Sequence, residues 1–227
     1  IDVNSGGFNV EHGGRVSAVV DIKTKEGNKK RISGVVGVSP FNAKAVLEGP
    51  IVPLKEDKAF SASYLLSFKK SLLEKTSKTL YSYANEDGLP FAFTDYYGKL
   101  NFSLDNGSKI DLFGFNFNDD VNYTSTTKFK WVNSGGGINF VLNPAGSNYT
   151  LGAIANFTKY NIELNEFEQN PRTSELSNYF FGVNITNYKP KSELHFGIEL
   201  ARDTTDLNYT NFLKSTIARK DNTTEFS

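Results

Sequence analysis

Residues 192–201, SELHFGIELA, alternate without a break. Leu194, Phe196, Ile198 and Leu200 fall to one side, and Glu193, His195, Gly197 and Glu199 to the other. A helix would spread those charges around its circumference, whereas a period of two sorts them onto one face. Just upstream, Tyr179, Phe181, Val183 and Ile185 alternate against Phe180, Gly182, Asn184 and Thr186, and residues 187–191 (NYKPK) between the runs have turn composition. The unit is a β-hairpin, and its repetition along the chain sets the fold class.

The same unit recurs upstream. Tyr96, Gly98, Leu100, Phe102 and Leu104 alternate with polar residues and end at Asp105-Asn106-Gly107-Ser108. Asn-Gly between alternating runs is the strongest short hairpin signal, because both residues tolerate positive φ. The returning run from Lys109 to about Asn118 slips in phase, with Ile110 and Leu112 on one parity and Phe113, Phe115 and Phe117 on the other, which predicts a β-bulge near Leu112 or Phe113. A third hairpin places Gly136, Ile138, Phe140 and Leu142 on one face, turns at residues 143–147, and returns with Tyr149, Leu151, Ala153, Ala155 and Phe157. Further strands are expected over residues 29–39 and 43–50 and at Phe60 to Phe68. No helix is expected. The triplet Gly135-Gly136-Gly137 lacks the Lys-Ser/Thr of a phosphate loop, and in a strand it permits bending or close approach of another backbone.

Composition agrees with a sheet wetted on one face. The chain has 19 Phe, 11 Tyr and 19 Gly, no Cys, no Met and no net charge. No apolar run approaches the ~20 residues of a membrane-spanning helix. Apolar residues that alternate with polar ones suit a sheet with lipid on one side and water on the other. Short turns at 105–108, 143–147 and 187–191 alternate with longer polar links at 69–91, 119–128 and 165–172, as in an outer-membrane barrel with short periplasmic turns and long extracellular loops. Tyr96, Tyr97, Phe129, Trp131, Tyr149, Tyr160 and Tyr179 gather near strand ends, where interface girdles would lie. Zero net charge gives no argument for nucleic acid, and the absence of Cys excludes a disulfide framework and thiolate metal sites.

Residues 8–27, FNVEHGGRVSAVVDIKTKEG, resemble the end of the plug domain of TonB-dependent outer-membrane receptors, in which a glycine pair and an arginine precede a strand with a Lys/Thr-rich end. The resemblance continues weakly through residues 43–50, AKAVLEGP. It implies an all-β chain: residues 1–27 as the C-terminal end of a plug, and residues 28–227 as the first part of an antiparallel transmembrane β-barrel. That part would hold roughly nine or ten strands of a barrel of about 22. Gly13, Gly14, Arg15, Asp21 and Lys23 form the plug-strand motif. Arg15, Asp21 and Lys23 would be charges inside a barrel lumen, met by water or by Glu48, Glu193 or Glu199.

The resemblance further implies a place in the outer membrane of a Gram-negative bacterium, contact with its lipid, and import of a scarce nutrient. Import would draw on the TonB complex, through a segment expected upstream of Ile1. The cargo class stays open among small molecules, glycans and peptides. Tyr81, Tyr83, Asp87, Asp119, Asp120, Trp131 and Glu168 are the candidate ligand contacts. The alternative is a receptor-like barrel with a structural role, partnered by a surface lipoprotein or other outer-membrane subunits. A complete small barrel of eight or ten strands is a third arrangement, and it predicts closure of the strand at 29–39 on the last one. No enzyme, cofactor or metal site is expected: His12 and His195, the only histidines, fall at a plug bend and on an inward strand face, no nucleophile motif accompanies His195 among the many serines, and Glu163, Glu166, Glu168 and Glu175 read as a solvated loop rather than a calcium site.

Overall fold

Pairing of alternating strands generates nearly all of the structure. The computed structural model describes residues 2–5, 17–83, 86, 88–123, 127–166, 172–211, 213 and 215–226. Strands β1 (Asp2–Ser5) and β2 (Ala18–Asp21) form a two-stranded ribbon. The rest is one ten-stranded sheet. Its strands are β3 (Ser33–Val38), β4 (Asn42–Val52), β5 (Phe60–Ser71), β6 (Phe91–Leu104), β7 (Lys109–Tyr123), β8 (Thr127–Leu142), β9 (Tyr149–Glu166), β10 (Arg172–Lys189), β11 (Ser192–Thr210) and β12 (Thr216–Phe226). Each pairs antiparallel with the next in sequence order. The edges are β3 and β12, and no pairing among the described residues joins them. The sheet is open, so the complete small barrel is ruled out. The first sheet strand is also shorter than expected, because residues 29–32 turn rather than pair: the Asn28 side chain accepts hydrogen bonds from the backbone N–H groups of Lys30 and Arg31.

Register defines two faces. One is covered by the segment between β2 and β3; the other is bare. On the bare face one row runs Tyr64, Leu100, Leu112, Ile138, Ala155 and Phe181, and another aligns Ala153, Val183 and Ile198. On the covered face lie Ser63, Asn101, Asp111, Asn139 and Ile154, with Gly182 and Glu199 beyond them. Burial is inverted relative to an ordinary core. Asn101 and Ser63 are wholly buried, while Leu66 is 50% exposed and Ile198 56%. Water-soluble sheets bury the second kind of side chain and expose the first.

The phase slip in β7 has a different cause from the one expected. Pairing of β7 with both neighbours runs without a register shift, so there is no bulge at Leu112 or Phe113. The polarity of the faces exchanges instead. Beyond Gly114 the bare face carries Asn116, Asn118 and Asp120, with Ser134 and Lys130 on β8 and Lys159 and Glu163 on β9. The covered face at that level carries Phe115, Phe117, Trp131, Ile162 and Leu164. The girdle residues divide likewise: Tyr96, Tyr149 and Tyr179 are on the bare face, and Tyr97, Phe129, Trp131 and Tyr160 on the covered one.

The loop sorting is weaker than expected for the same reason. Strands β8 to β11 run 16, 18, 18 and 19 residues, beyond the ~9–11 that cross a bilayer. Residues 119–123 and 127–128, expected in a loop, extend β7 and β8. Only the link after β5 stays long, and it contains the helix that the pattern did not predict, α1 (Leu73–Leu80). Glu74 in its first turn and Lys78 in its last suit the helix dipole. The Ser77 hydroxyl fixes the return by accepting from the Leu89 N–H at 2.8 Å.

Candidate functional site

Two parts of the covered face hold the chemistry. The first is where the segment after β2 crosses the sheet. Thr24 Oγ1 meets the Tyr97 hydroxyl at 2.7 Å, and Lys25 Nζ reaches Glu48 at 2.9 Å. The Glu26 carbonyl accepts from the Ser63 hydroxyl at 2.6 Å. The Glu26 carboxylate takes Lys109 Nζ on one oxygen at 2.7 Å and Lys29 Nζ on the other at 2.8 Å. Lys29 also donates to Ser103 Oγ at 2.9 Å. Gly27, at φ +82°, lies so close to β5 that a Cβ would run into the Tyr64 carbonyl, so this position needs glycine twice over.

Beneath the segment is a buried polar network. Lys99 Nζ lies 3.3 Å from Asp111 and donates to the Thr24 carbonyl at 3.3 Å. Asn101 Nδ2 donates to Asp111 at 2.6 Å, and its carbonyl oxygen accepts from Ser103 Oγ at 2.7 Å. Burial of Glu26 favours its neutral form, but the hydrogen bonds from Lys109 and Lys29 outweigh that and hold its pKa at about 2.

Lys23, two residues past β2, pairs with Asp21 at 2.9 Å and with Asp2 at 3.8 Å, all three solvent-exposed. Glu48 does meet a lysine, but that residue is Lys25. Glu193 is held by His195, which also meets Thr186. Gly13, Gly14 and Arg15 lie outside the described residues. The strand that carries Asp21 ends there, and residues 24–29 make the contacts as irregular chain. Their only sequence signal was the dense Lys/Glu/Thr composition.

The second part is the aromatic upper half of the covered face. Asp119 and Trp131 are register partners there, in a row running Phe93, Asp119, Trp131, Ile162, Ser174 and Leu207. One row lower come Lys69, Asp95, Phe117 and Asn133, and Lys69 Nζ stands 4.6 Å from the centre of the Phe93 ring. Asp120 points to the opposite face beside Lys130, so it is not in this site. Tyr81 follows α1, stacks on Phe41 at 6.1 Å and meets Tyr83 edge-on at 6.3 Å. Asp87 and Glu168 lie outside the described residues. Of the acidic group, Glu166 pairs with Arg172 and Glu175 with Lys159, each at 2.7 Å, and Glu163 accepts from Asn165. These three stand on strands β9 and β10 rather than in a loop.

The ten-stranded sheet is thus open and antiparallel, with a bare face that is apolar below Gly114 and polar above it, and a covered face with the reverse order. No protein-family model, curated protein or solved structure matches the chain.

Proposed function

We propose that the chain is the first part of the barrel wall of a TonB-dependent outer-membrane transporter, together with the end of its plug, and that it serves the import of a scarce nutrient. The inverted burial carries this reading. Leu66, Leu100, Ile138, Val183 and Ile198 are all exposed on one face, a patch that water does not tolerate and lipid does. On β9 the bare-face apolar residues run from Tyr149 to Phe157, eight steps of ~3.3 Å, or about 26 Å along the strand. A tilt near 40° reduces this to roughly 20 Å, close to the ~25 Å apolar band of outer-membrane barrels. Above the band the strands leave lipid, which accounts for the exchange of polarity between faces. The open edges β3 and β12 then take further strands in the closed barrel, and the segment laid across the polar face is the last of the plug.

The ligand in this reading meets the aromatic upper half of the covered face, with Asp119 and Trp131 among its contacts. Deletion of the whole gene, followed by growth on a panel of limiting nutrients, tests the import. One nutrient should stop supporting growth, and a Trp131→Ala variant should raise the concentration needed. Growth unchanged on every nutrient, with no TonB-interacting segment upstream, would favour the structural subunit role instead.

A further inference from the structure

Two neighbouring turns at the lower rim of the sheet are tied together through Asn106. Its Nδ2 donates to the Asn143 carbonyl, in the turn between β8 and β9, at 2.8 Å. Its Oδ1 accepts from the Ser108 N–H at 2.9 Å. The N–H of Gly107 donates to the Leu104 carbonyl at 3.2 Å. Ser108 is only 4% exposed, and its hydroxyl accepts from the Asn143 N–H at 2.9 Å. The turn between β6 and β7 is thereby fixed to the next turn along the rim, while Asn106 itself faces solvent.

The same atoms define a reaction. Asparagine followed by glycine is open to attack by the glycine nitrogen on the asparagine side-chain carbonyl, because no Cβ shields that nitrogen. Residues 106–107 are the sole Asn-Gly of the chain. Once hydroxide takes the proton from the Gly107 nitrogen, the bond from that nitrogen to Asn106 Cγ forms. The Cγ–Nδ2 bond breaks, and Nδ2 leaves as ammonia with a proton from water. Water then opens the cyclic imide at either carbonyl and gives aspartate or isoaspartate. In the folded turn the attacking nitrogen's proton is engaged by Leu104, and both ends of the amide are held.

We propose that Asn106 is a latent modification site, protected by the rim while the chain is folded and converted while it is not. The carboxylate product has no proton to donate to the Asn143 carbonyl, so conversion cuts the tie between the two turns. Isoaspartate also lengthens the backbone inside the tight turn that sets the register of β6 on β7. A chain held unfolded for long thus loses a contact that its folded form uses. The site is independent of what the bare face meets, and holds equally for a transporter and for a structural subunit.

The full-length protein, incubated in mildly alkaline buffer either folded in vesicles or unfolded in urea, tests this by peptide mapping. Residue 106 should convert on the order of tenfold faster in urea, because the hydrogen bonds that hold the amide and the Gly107 N–H must first be lost. Asn101, followed by the bulky Phe102, should stay an amide in both samples. Ser108→Ala removes the hydroxyl beneath Asn143 and should speed conversion in the folded sample. If that variant does not fold, Thr150→Val removes only the 2.7 Å bond to the Asn143 side chain and carries the same expectation. Asn106→Asp should lower the urea midpoint of the folded protein. Equal rates in vesicles and in urea, or no conversion in urea, would overturn the protected site. An unshifted midpoint for Asn106→Asp would overturn the tie between the turns.

Discussion

The ring of Phe115 lies across Gly135, close enough that a Cβ there would stand 3.0 Å from its Cζ. The next pair down the strands on this face repeats this, with Phe113 over Gly137 at the same 3.0 Å. Between them Gly136 faces the other way, opposite Gly114. The glycine triplet thus seats two aromatic rings, each covering backbone that glycine would otherwise leave open. Alanine at 135 or 137 would also meet a β9 carbonyl, at 2.6 Å from Phe157 O and 2.7 Å from Ala155 O respectively. Each substitution should cost about 1–3 kcal/mol, the usual range for overpacking. Urea unfolding of the reconstituted full-length protein measures it, and two unshifted midpoints would mean that the rings do not depend on the glycines.

Lys99 and Asp111 form a pair 3.3 Å apart with side chains 8% and 6% exposed. Lys99→Met leaves the carboxylate with the Asn101 amide as its described donor, and should cost about 3–5 kcal/mol. Adding Asp111→Asn removes the stranded charge, so the double variant should be more stable than Lys99→Met alone. Unfolding midpoints of all four members of the cycle decide it. Strictly additive losses would mean that the two residues are not coupled.

Glu26 sets a pH dependence whose direction follows from its depressed pKa, about 2 against an ordinary 4.5. Its contribution is fully present above the unfolded value and is lost as pH falls from about 4.5 through 2. Linkage puts the upper limit near 3 kcal/mol. The carboxylate is 29% exposed, and solvent screening brings the effect nearer 1–2 kcal/mol. The stability gap between wild type and Glu26→Gln should be constant from pH 8 to pH 5 and close by pH 2. A gap that persists at pH 2 would show that it does not come from ionisation.

Strand order, hairpins and the apolar face were legible because each is a local pattern of period two. SELHFGIELA could fold in one way only, and the Asn106-Gly107 turn fixed the register of β6 on β7: Gly107 has φ +82°. What was not legible depended on environment. The Phe113, Phe115 and Phe117 run looked like a bulge because a single strand does not reveal which solvent lies beside each half of it. The same strand with unbroken register and two surroundings gives the same letters. The crossing contacts were missed by a few residues for a related reason: the motif carried by the resemblance ends at Lys23, while Lys25, Glu26 and Lys29 gain their roles only from β4 to β7. Helix α1 gave no signal, since it is one short element closed by the Ser77 to Leu89 hydrogen bond rather than by a buried stripe.

The strongest test of the bilayer reading uses the difference between the two faces of the β10–β11 hairpin. Ile198 stands on the bare face in register with Val183, and Glu199 on the covered face opposite Gly182. If the bare face meets hydrocarbon, Val183→Arg places a charge in the apolar band and should cost about 2–4 kcal/mol near the midplane. Glu199→Arg, on a wet surface, should cost much less, within about 0.5 kcal/mol. The readouts are the fraction of protein that folds into lipid vesicles and its urea midpoint there. If the bare face instead packed against a protein layer in water, Val183→Arg would disrupt that layer, and the wild-type protein would fold without lipid. If it met water, the arginine would improve solubility at no cost. Only a lipid-facing wall requires both a large penalty at residue 183 and dependence of wild-type folding on the vesicles.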